Sequence, residues 1–519
     1  MSKQNISRRD FLKGMAVAGA MAATAGTLAG CQKAAGGPVP ERWDREADVV
    51  IVGAGGTGIV AAIEARDAGA SALLLEKADT VGGTTSLSGG VIQASATEFQ
   101  RAAGVEGDNP QAHYQFWMAA SEGYVDPELV KVLADNAPGN IQWLVEQGLT
   151  YVSVYGVNPI PYVDPSLNVP RIHVPGGRGT EAKPGTGQIH VEILYNVAKS
   201  KGAEFLTGTE VKALIRDPQK GVVGVKAESG GKELYIKAKR GVVLATSSFD
   251  HNKQMAKAFS PQQLWELETG VCATAPTNTG DGIKMAMEIG ADLAGMGGTI
   301  GVPSTPIGSL LQKGLPEVPG IWVNKYGQRF VNESAHYAYI MRAVYQQEEH
   351  IAWAVFDENV RKLGGKVLGG LLGGLSDDLS AEIASGKVKT GNTPRELAQA
   401  IGVNGAQLEA TLTKWNEDVR KGQDTLFGKT VCLAPLETPP FYAIQVTSWN
   451  LGSCGGVRIN TKAQVLDVWG QPIPRLYAGG MVAGGIIGPY YPGSGTAVAT
   501  TVCFGRIAGQ NVAKETPWG

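Results

Sequence analysis

Apolar positions along this chain fall into a few separable patterns. ADVVIVGAGGTGIVAAIEARDAGASALLLEK (47–77) opens on a β-branched run, breaks at a glycine cluster and resumes with helix-like apolar residues before closing in ALLLE. It predicts strand, tight turn, helix and second strand. TPRELAQAIGVNGAQLEATLTKWNEDVRKG (393–422) repeats its apolar residues at helical spacing. There Thr393-Pro394 reads as an N-cap followed by proline in the first turn, and the segment reads as scaffold. Near the end, GPYYPGSGTA (488–497) is a Pro-Gly-Ser-Gly turn feeding VATTVCFGRIAG (498–509), an apolar, helix-like run. A strand–turn–helix junction aims backbone N–H groups at whatever lies in front of the helix. Ser494 and Thr496 read as helix caps there, and taken alone the two tyrosines read equally well as turn aromatics.

Composition narrows the class. At 519 residues the chain is too long for one small core and should form two or so domains. A formal net charge of −2 without any basic run argues against nucleic acid as a partner. The 71 glycines sit inside apolar, periodic segments, which points to tight turns and close backbone approaches, not disorder. Cys272, Cys432, Cys454 and Cys503 are scattered, with no CxxC or CxxCH, so they read as small core residues and suggest neither a metal site nor a haem relay. Electrons would then be exchanged with a separate carrier, a quinone or a cytochrome.

The first 44 residues stand apart. SRRDFLKG places Arg8 and Arg9 ahead of MAVAGAMAATAGTLAG, the layout of a twin-arginine export signal. A membrane span is the alternative, but the stretch is short, Ala/Gly-rich and only mildly apolar. LAGC also matches a lipoprotein cleavage box in which Cys31 becomes the lipidated first residue, and QKAAGGPVPER would be the tether. A periplasmic or cell-surface protein, lipid-anchored through Cys31, is the expectation.

Gly53, Gly55 and Gly58, with Gly56 between them, give the GxGxxG spacing directly after a strand and at the start of a helix. Such glycines permit the tight turn, the approach of backbone to a pyrophosphate, and close helix packing. Glu76, followed by Lys77, closes the second strand, where a carboxylate can accept hydrogen bonds from a ribose. ADTVGGTTSLSGG follows, with Gly82-Gly83-Thr84 and Ser88-Gly89-Gly90; late in the chain QPIPRLYAGGMVAGG brings a second strand-and-glycine crossing at Gly479-Gly480.

This arrangement resembles the FAD-binding superfamily of fumarate reductase and succinate dehydrogenase flavoproteins, over essentially the whole chain after residue 45. The resemblance extends to GVVGVKAESGGKELYIKAKRGVVLATSSFDHN (221–252), which looks like the middle flavin-domain hairpin and its following strand, and to the helix around Asp281. It implies an α/β fold: a Rossmann-like FAD-binding domain in two parts, 45–282 and 436–519, with an inserted α+β substrate-capping domain at 283–435. It further implies FAD contacts from Val211, Thr246, Asp281, Gly495, Thr496 and Ala497. Two departures stand out: Thr246-Ser247-Ser248-Phe249 where TGGF is common, and Gly480-Met481 where Glu or Asn often follows the AG pair.

Function turns on what faces the flavin. Relatives that reduce dicarboxylates carry an arginine proton donor a few residues past the RFVNE segment, a histidine before the late Gly-Gly pair and an arginine in the final flavin turn. Here those positions are Tyr337, Gly452 and Tyr491, all uncharged, so fumarate fits poorly. The two tyrosines resemble instead those of flavin-dependent 3-ketosteroid dehydrogenases, carried here by RFVNESAHY and YYPGSG. The resemblance implies that Tyr491 and the Gly495 N–H hold a ketone oxygen while Tyr337 exchanges the proton on the neighbouring carbon. Tyr162 in NPIPYVDPS is the candidate for an assisting third tyrosine, and His336 reads as a bystander pointing away along an extended segment. A phenol and an N–H form an oxyanion hole without a full positive charge. Two other readings stay open: an exported flavin reductase of another unsaturated substrate, such as an aromatic acrylate, and an electron-transfer flavolipoprotein with no substrate pocket.

Overall fold

The computed structural model describes residues 39–177, 186–304, 320–363, 376 and 378–519; the twin-arginine segment and Cys31 lie outside them. Strands Gln464–Leu466, Pro472–Ala478, Lys232–Leu244, Arg45–Val52, Ala72–Leu75 and Glu204–Leu206 lie side by side in that order. The last five run parallel, and the first is an antiparallel edge. Val49, Val50 and Ile51 are all fully buried, so the unbroken apolar run of the opening strand is explained by cover on both faces of a parallel sheet. The expected hairpin is Gly221–Ser229 against Lys232–Leu244, and Thr209–Asp217 adds a third strand on its other side. The hairpin's second strand continues without a break into the parallel sheet.

Helix Gly56–Asp67 follows the opening strand, and the terminal helix Thr496–Val512 packs along it. Gly505 and Gly509 of the terminal helix lie against the Thr57 and Ala61 carbonyls, where a side chain has no room. The end of the chain is thereby brought to its first turn.

A second apolar core belongs to a four-stranded antiparallel sheet in the order Ile321–Asn324, Ala352–Asp357, Phe441–Gln445, Val388–Gly391. Phe441–Gln445 pairs with two strands of this sheet, although it lies past the expected boundary at residue 435. Helices Pro394–Ile401 and Gly405–Arg420 cover it, and Thr393 accepts from the Glu396 N–H as the expected N-cap with Pro394 at the first position. Within this core Arg329 makes two-pronged bonds to Glu333 (3.0 and 2.9 Å) and to Asp424 (2.9 and 3.0 Å). All three side chains are buried, and the guanidinium lies 4.7 Å from the Trp415 ring centroid. The Glu333 carboxylate also accepts from the Trp322 N–H, so the turn leading to Tyr337 is fastened to the sheet.

A long antiparallel ladder, Leu293–Ser304 with Thr447–Arg458, completes the scaffold. Buried Glu266 accepts from Ser448 and Asn450 on that ladder and from Tyr345. Burial raises its carboxyl above the ordinary range, and these donors offset part of the rise.

Removing a buried ion-pair partner strands its counter-charges. Arg329→Ala should therefore cost about 3–5 kcal/mol of stability, read as a lowered denaturant midpoint; an unchanged midpoint would show the cluster to be structurally idle. Buried His190 gives a pH signature, since burial lowers its imidazole to about 4. The unfolded chain takes up that proton near pH 6.5 while the folded chain resists to about 4. Stability from this residue is complete above pH 6.5 and declines as pH falls towards 4; His190→Gln should flatten that part of a melting-temperature profile.

Candidate active site

The parallel strands end at one large cavity of about 460 Å³. The first turn reaches it because Gly53 has φ +101°, and at Gly58 a Cβ would overlap the Gly53 carbonyl oxygen. Glu76 fastens the turn: its two carboxylate oxygens accept from the Ala54 and Ala78 N–H groups, each at 2.9 Å. Helices Gly56–Asp67 and Thr496–Val512 both begin at this cavity, neither with a side-chain cap. The Gly56 N–H donates to the Thr85 hydroxyl and the Ala497 N–H to that of Tyr491, but no N-cap side chain covers either start, and the positive ends of two helix dipoles suit a pyrophosphate. The Thr246 hydroxyl, buried on the cavity wall, has no protein partner, as a group awaiting a bound ligand would. Lys77 lies on the wall too, paired with Asp281 (2.6 Å) and the Thr279 hydroxyl (2.7 Å).

The expected cofactor residues divide by position. Gly53, Gly55, Gly56, Glu76, Lys77, Gly83, Thr84, Ser88, Gly89, Gly90, Val211, Thr246, Asp281, Gly495 and Ala497 line the cavity. Gly58, Gly82, Gly479, Gly480 and Thr496 stand behind it and shape it. Gly82 donates to the Ala54 carbonyl, Gly479 packs on Phe504, and Gly480 packs on Thr57. Capping by Ser494 or Thr496 does not occur. The N-cap is Gly495 at φ +87°, the Thr496 hydroxyl turns back to the Gly493 carbonyl at 2.5 Å, and Ser494 faces the cavity.

Tyr337 and Tyr491 meet at the other end of the cavity, ring centroids 6.3 Å apart, together with Gly495. The Tyr337 hydroxyl lies 3.3 Å from the Ser494 hydroxyl. The Tyr491 hydroxyl oxygen accepts from the Ala497 N–H at 3.3 Å, at the start of the terminal helix. Burial raises both phenols above their ordinary range, and for Tyr337 the neighbouring Tyr491 adds to the rise while Ser494 opposes it. Ile300, Leu451, Gly452 and Met481 also line the cavity, and near Gly452 a Cβ would meet only the Ile300 methyl. The charged residues lining it are Glu76, Lys77, Glu210, Asp250 and Asp281, with no arginine among the described residues.

Tyr162 lies elsewhere. It is half-exposed, its hydroxyl donates to the Ala120 carbonyl at 2.9 Å, and it lines a neighbouring cavity. Tyr155, at the end of strand Tyr151–Tyr155, is the third tyrosine on the main cavity. Its alternating YVSVY context carried no mark of a site. His336 does not point away: it is the N-cap of helix Tyr337–Tyr345, its Nδ1 accepting from the Ala338 N–H at 3.3 Å. Its ring lies against Tyr337, centroids 4.3 Å apart, and burial lowers its pKa to about 3, so it is neutral. Two serines were also missed: Ser494 opposite Tyr337, and Ser453, whose N–H and hydroxyl hold cavity-lining Asp250 at 2.6 Å.

Comparison with known proteins agrees with this geometry. A family model described as an FAD binding domain matches residues 48–498, and one for the twin-arginine translocation signal sequence matches residues 5–25. The chain is 31% identical to a digoxin reductase of Eggerthella lenta, over 99% of this chain and 98% of that protein. It is also 31% identical to a urocanate reductase of the same organism, over 91% and 76%. Among solved structures, a 3-ketosteroid-delta4-(5alpha)-dehydrogenase from Rhodococcus jostii RHA1, in complex with 4-androstene-3,17-dione, matches with TM-score 0.77 and 29% identity, over 92% and 98%. The strand–glycine turn–helix entry, the two helix starts with glycine N-caps and these matches have one explanation: the chain is an exported FAD-dependent oxidoreductase of the FAD-binding, fumarate reductase-type flavoprotein family.

Proposed function

We propose that the protein reduces a cyclic enone, of the 4-en-3-one steroid type, to its saturated ketone. The observation that carries this reading is the convergence of Tyr337, Tyr491 and Ser494 in a cavity with no arginine on its described wall. Bound in its reduced form and re-reduced by an external carrier, FAD would supply the two electrons as a hydride. As the carbon–carbon double bond is consumed, charge moves onto the ketone oxygen. The Tyr491 hydroxyl and the Gly495 N–H hold that oxygen, and the Ala497 N–H, already bonded to the Tyr491 oxygen, strengthens the phenol as a donor. Tyr337 then gives its proton to the α-carbon, and Ser494, in contact with it, re-supplies the phenol. Burial keeps the Tyr337 phenol protonated, the state in which it can donate, and the groups that shift it include no cation to stabilise a phenolate.

Lipidation of Cys31 and electron delivery by a separate quinone or cytochrome complete the reading. A second reading, an exported reductase of an aromatic acrylate, is favoured by similarity to the urocanate reductase. It requires a cation for the acid beside the reacting carbon, which the described wall of the main cavity does not supply on the Tyr337–Tyr491 side.

Anaerobically reduced enzyme mixed with 4-en-3-one steroids, fumarate and cinnamate-type acids separates the two. Steroid should reoxidise the flavin fastest; reoxidation by the acids alone would sink the ketone reading. Tyr491→Phe should keep its flavin and lose about 100-fold in rate, the scale of a missing oxyanion donor. Because burial raises the Tyr337 phenol, the rate of the proton-donating step should stay level on the alkaline side up to pH 10. A fall centred below pH 10 would remove Tyr337 as the donor.

A further inference from the structure

A second cavity of about 270 Å³ meets the reaction cavity at Tyr491, which lines both. Tyr155 lines the first and Tyr162 the second, so the connecting segment 155–162 borders the two. Aromatic rings dominate the second space: Tyr162 and Tyr339, with centroids 6.0 Å apart, and Tyr490. His336 is there too, neutral, and its buried Nε2 has no partner. Among the described residues one charged side chain lines it, Arg342, whose guanidinium sits 3.8 Å from the Tyr490 ring centroid and 5.9 Å from that of Tyr162.

Arg342 is placed and only partly neutralised. Its Nη1 donates to Glu122, and both side chains are about 30% exposed (27% and 31%). An ion pair that wet contributes less than about 1 kcal/mol, so a second carboxylate competes with it cheaply. Among the described residues Nη1 makes the hydrogen bond, and the remaining donors of a guanidinium form a fork shaped for a carboxylate. Stacking on Tyr490 holds the fork still. Tyr337 and Arg342 lie five residues apart on one helix, roughly 7.5 Å along its axis.

We infer that this second cavity is a subsite for a carboxylate at the far end of the substrate, received by Arg342 while the ketone sits at Tyr491 and Gly495. The substrate class narrows to a ketone that is uncharged where it reacts, apolar or ring-built along its middle, and acidic at its tail. This rests on the ketone reading above. It also reconciles an arginine-free reaction cavity with an arginine next door: the charge belongs to recognition and stays away from the carbons that change.

The test compares a 4-en-3-one steroid bearing a side-chain carboxylate with its methyl ester, on the flavin-loaded enzyme. In the wild type, kcat/KM for the acid should exceed that for the ester by about three- to fivefold, mainly through KM, and the ratio should shrink at high salt. Arg342→Gln should bring the ratio to within about twofold of unity, and Arg342→Lys should recover part of it, with flavin content and melting temperature checking the fold. A wild-type ratio near unity, or a ratio that Arg342→Gln leaves unchanged, overturns the subsite while leaving the ketone reading intact. If Arg342→Gln does not fold, the wild-type ratio and its salt dependence decide. If neither compound is turned over, the ketone reading fails and the subsite falls with it.

Discussion

The site depends on one close approach: the terminal helix lying on the first helix across Gly505 and Gly509. With side chains there the two helices would part, and their N-terminal ends would no longer face one cavity. Because they do, the Pro492–Gly495 turn, set nearly 440 residues after the Gly53–Gly58 turn, stands beside it. The same contact presents the Ala497 N–H to the Tyr491 hydroxyl. The meeting of the two glycine turns and the Ala497–Tyr491 bond are consequences of a single helix–helix packing.

The chemistry of the reacting end follows from what is missing beside what is present. Two phenols, a serine and apolar walls make a surface that tolerates transient charge on oxygen and offers little to a permanent carboxylate. Burial reinforces this by holding both phenols protonated. Lys77 and Asp281 neutralise one another on the cavity wall, and in the neighbouring cavity Arg342 rests on an aromatic ring.

Much of this was legible from residue order. A glycine turn between a β-branched strand and a helix has few structural meanings, and Thr393-Pro394 begins a helix for local reasons, so both could be read without neighbours. Tyr337 and Tyr491 were legible through motif resemblance. What stayed hidden depends on long-range placement. Ser494 reads locally as a cap and becomes a partner of Tyr337 only when segments 157 residues apart are folded together. Tyr155 and Tyr162 are indistinguishable in one dimension, seven residues apart, and only the path of their loop separates their cavities. Phe441–Gln445 is a strand wherever it goes; its partner is decided by register with Ala352–Asp357.

The Tyr337–Ser494 contact joins groups whose supports are independent. Tyr337 follows a turn riveted into one core by Arg329 and Glu333; Ser494 belongs to the turn that opens the terminal helix. Tyr337 itself packs into the larger core beside Tyr491, so the proposed donor is complete only at the seam where the Arg329-held turn meets the turn that opens the terminal helix. In the proposed mechanism competence for chemistry is thus a property of alignment: a shift of an ångström or two at that seam would break the Tyr337–Ser494 contact while leaving the Glu76-fastened glycine turn intact. Binding and reactivity are thereby separable within one fold.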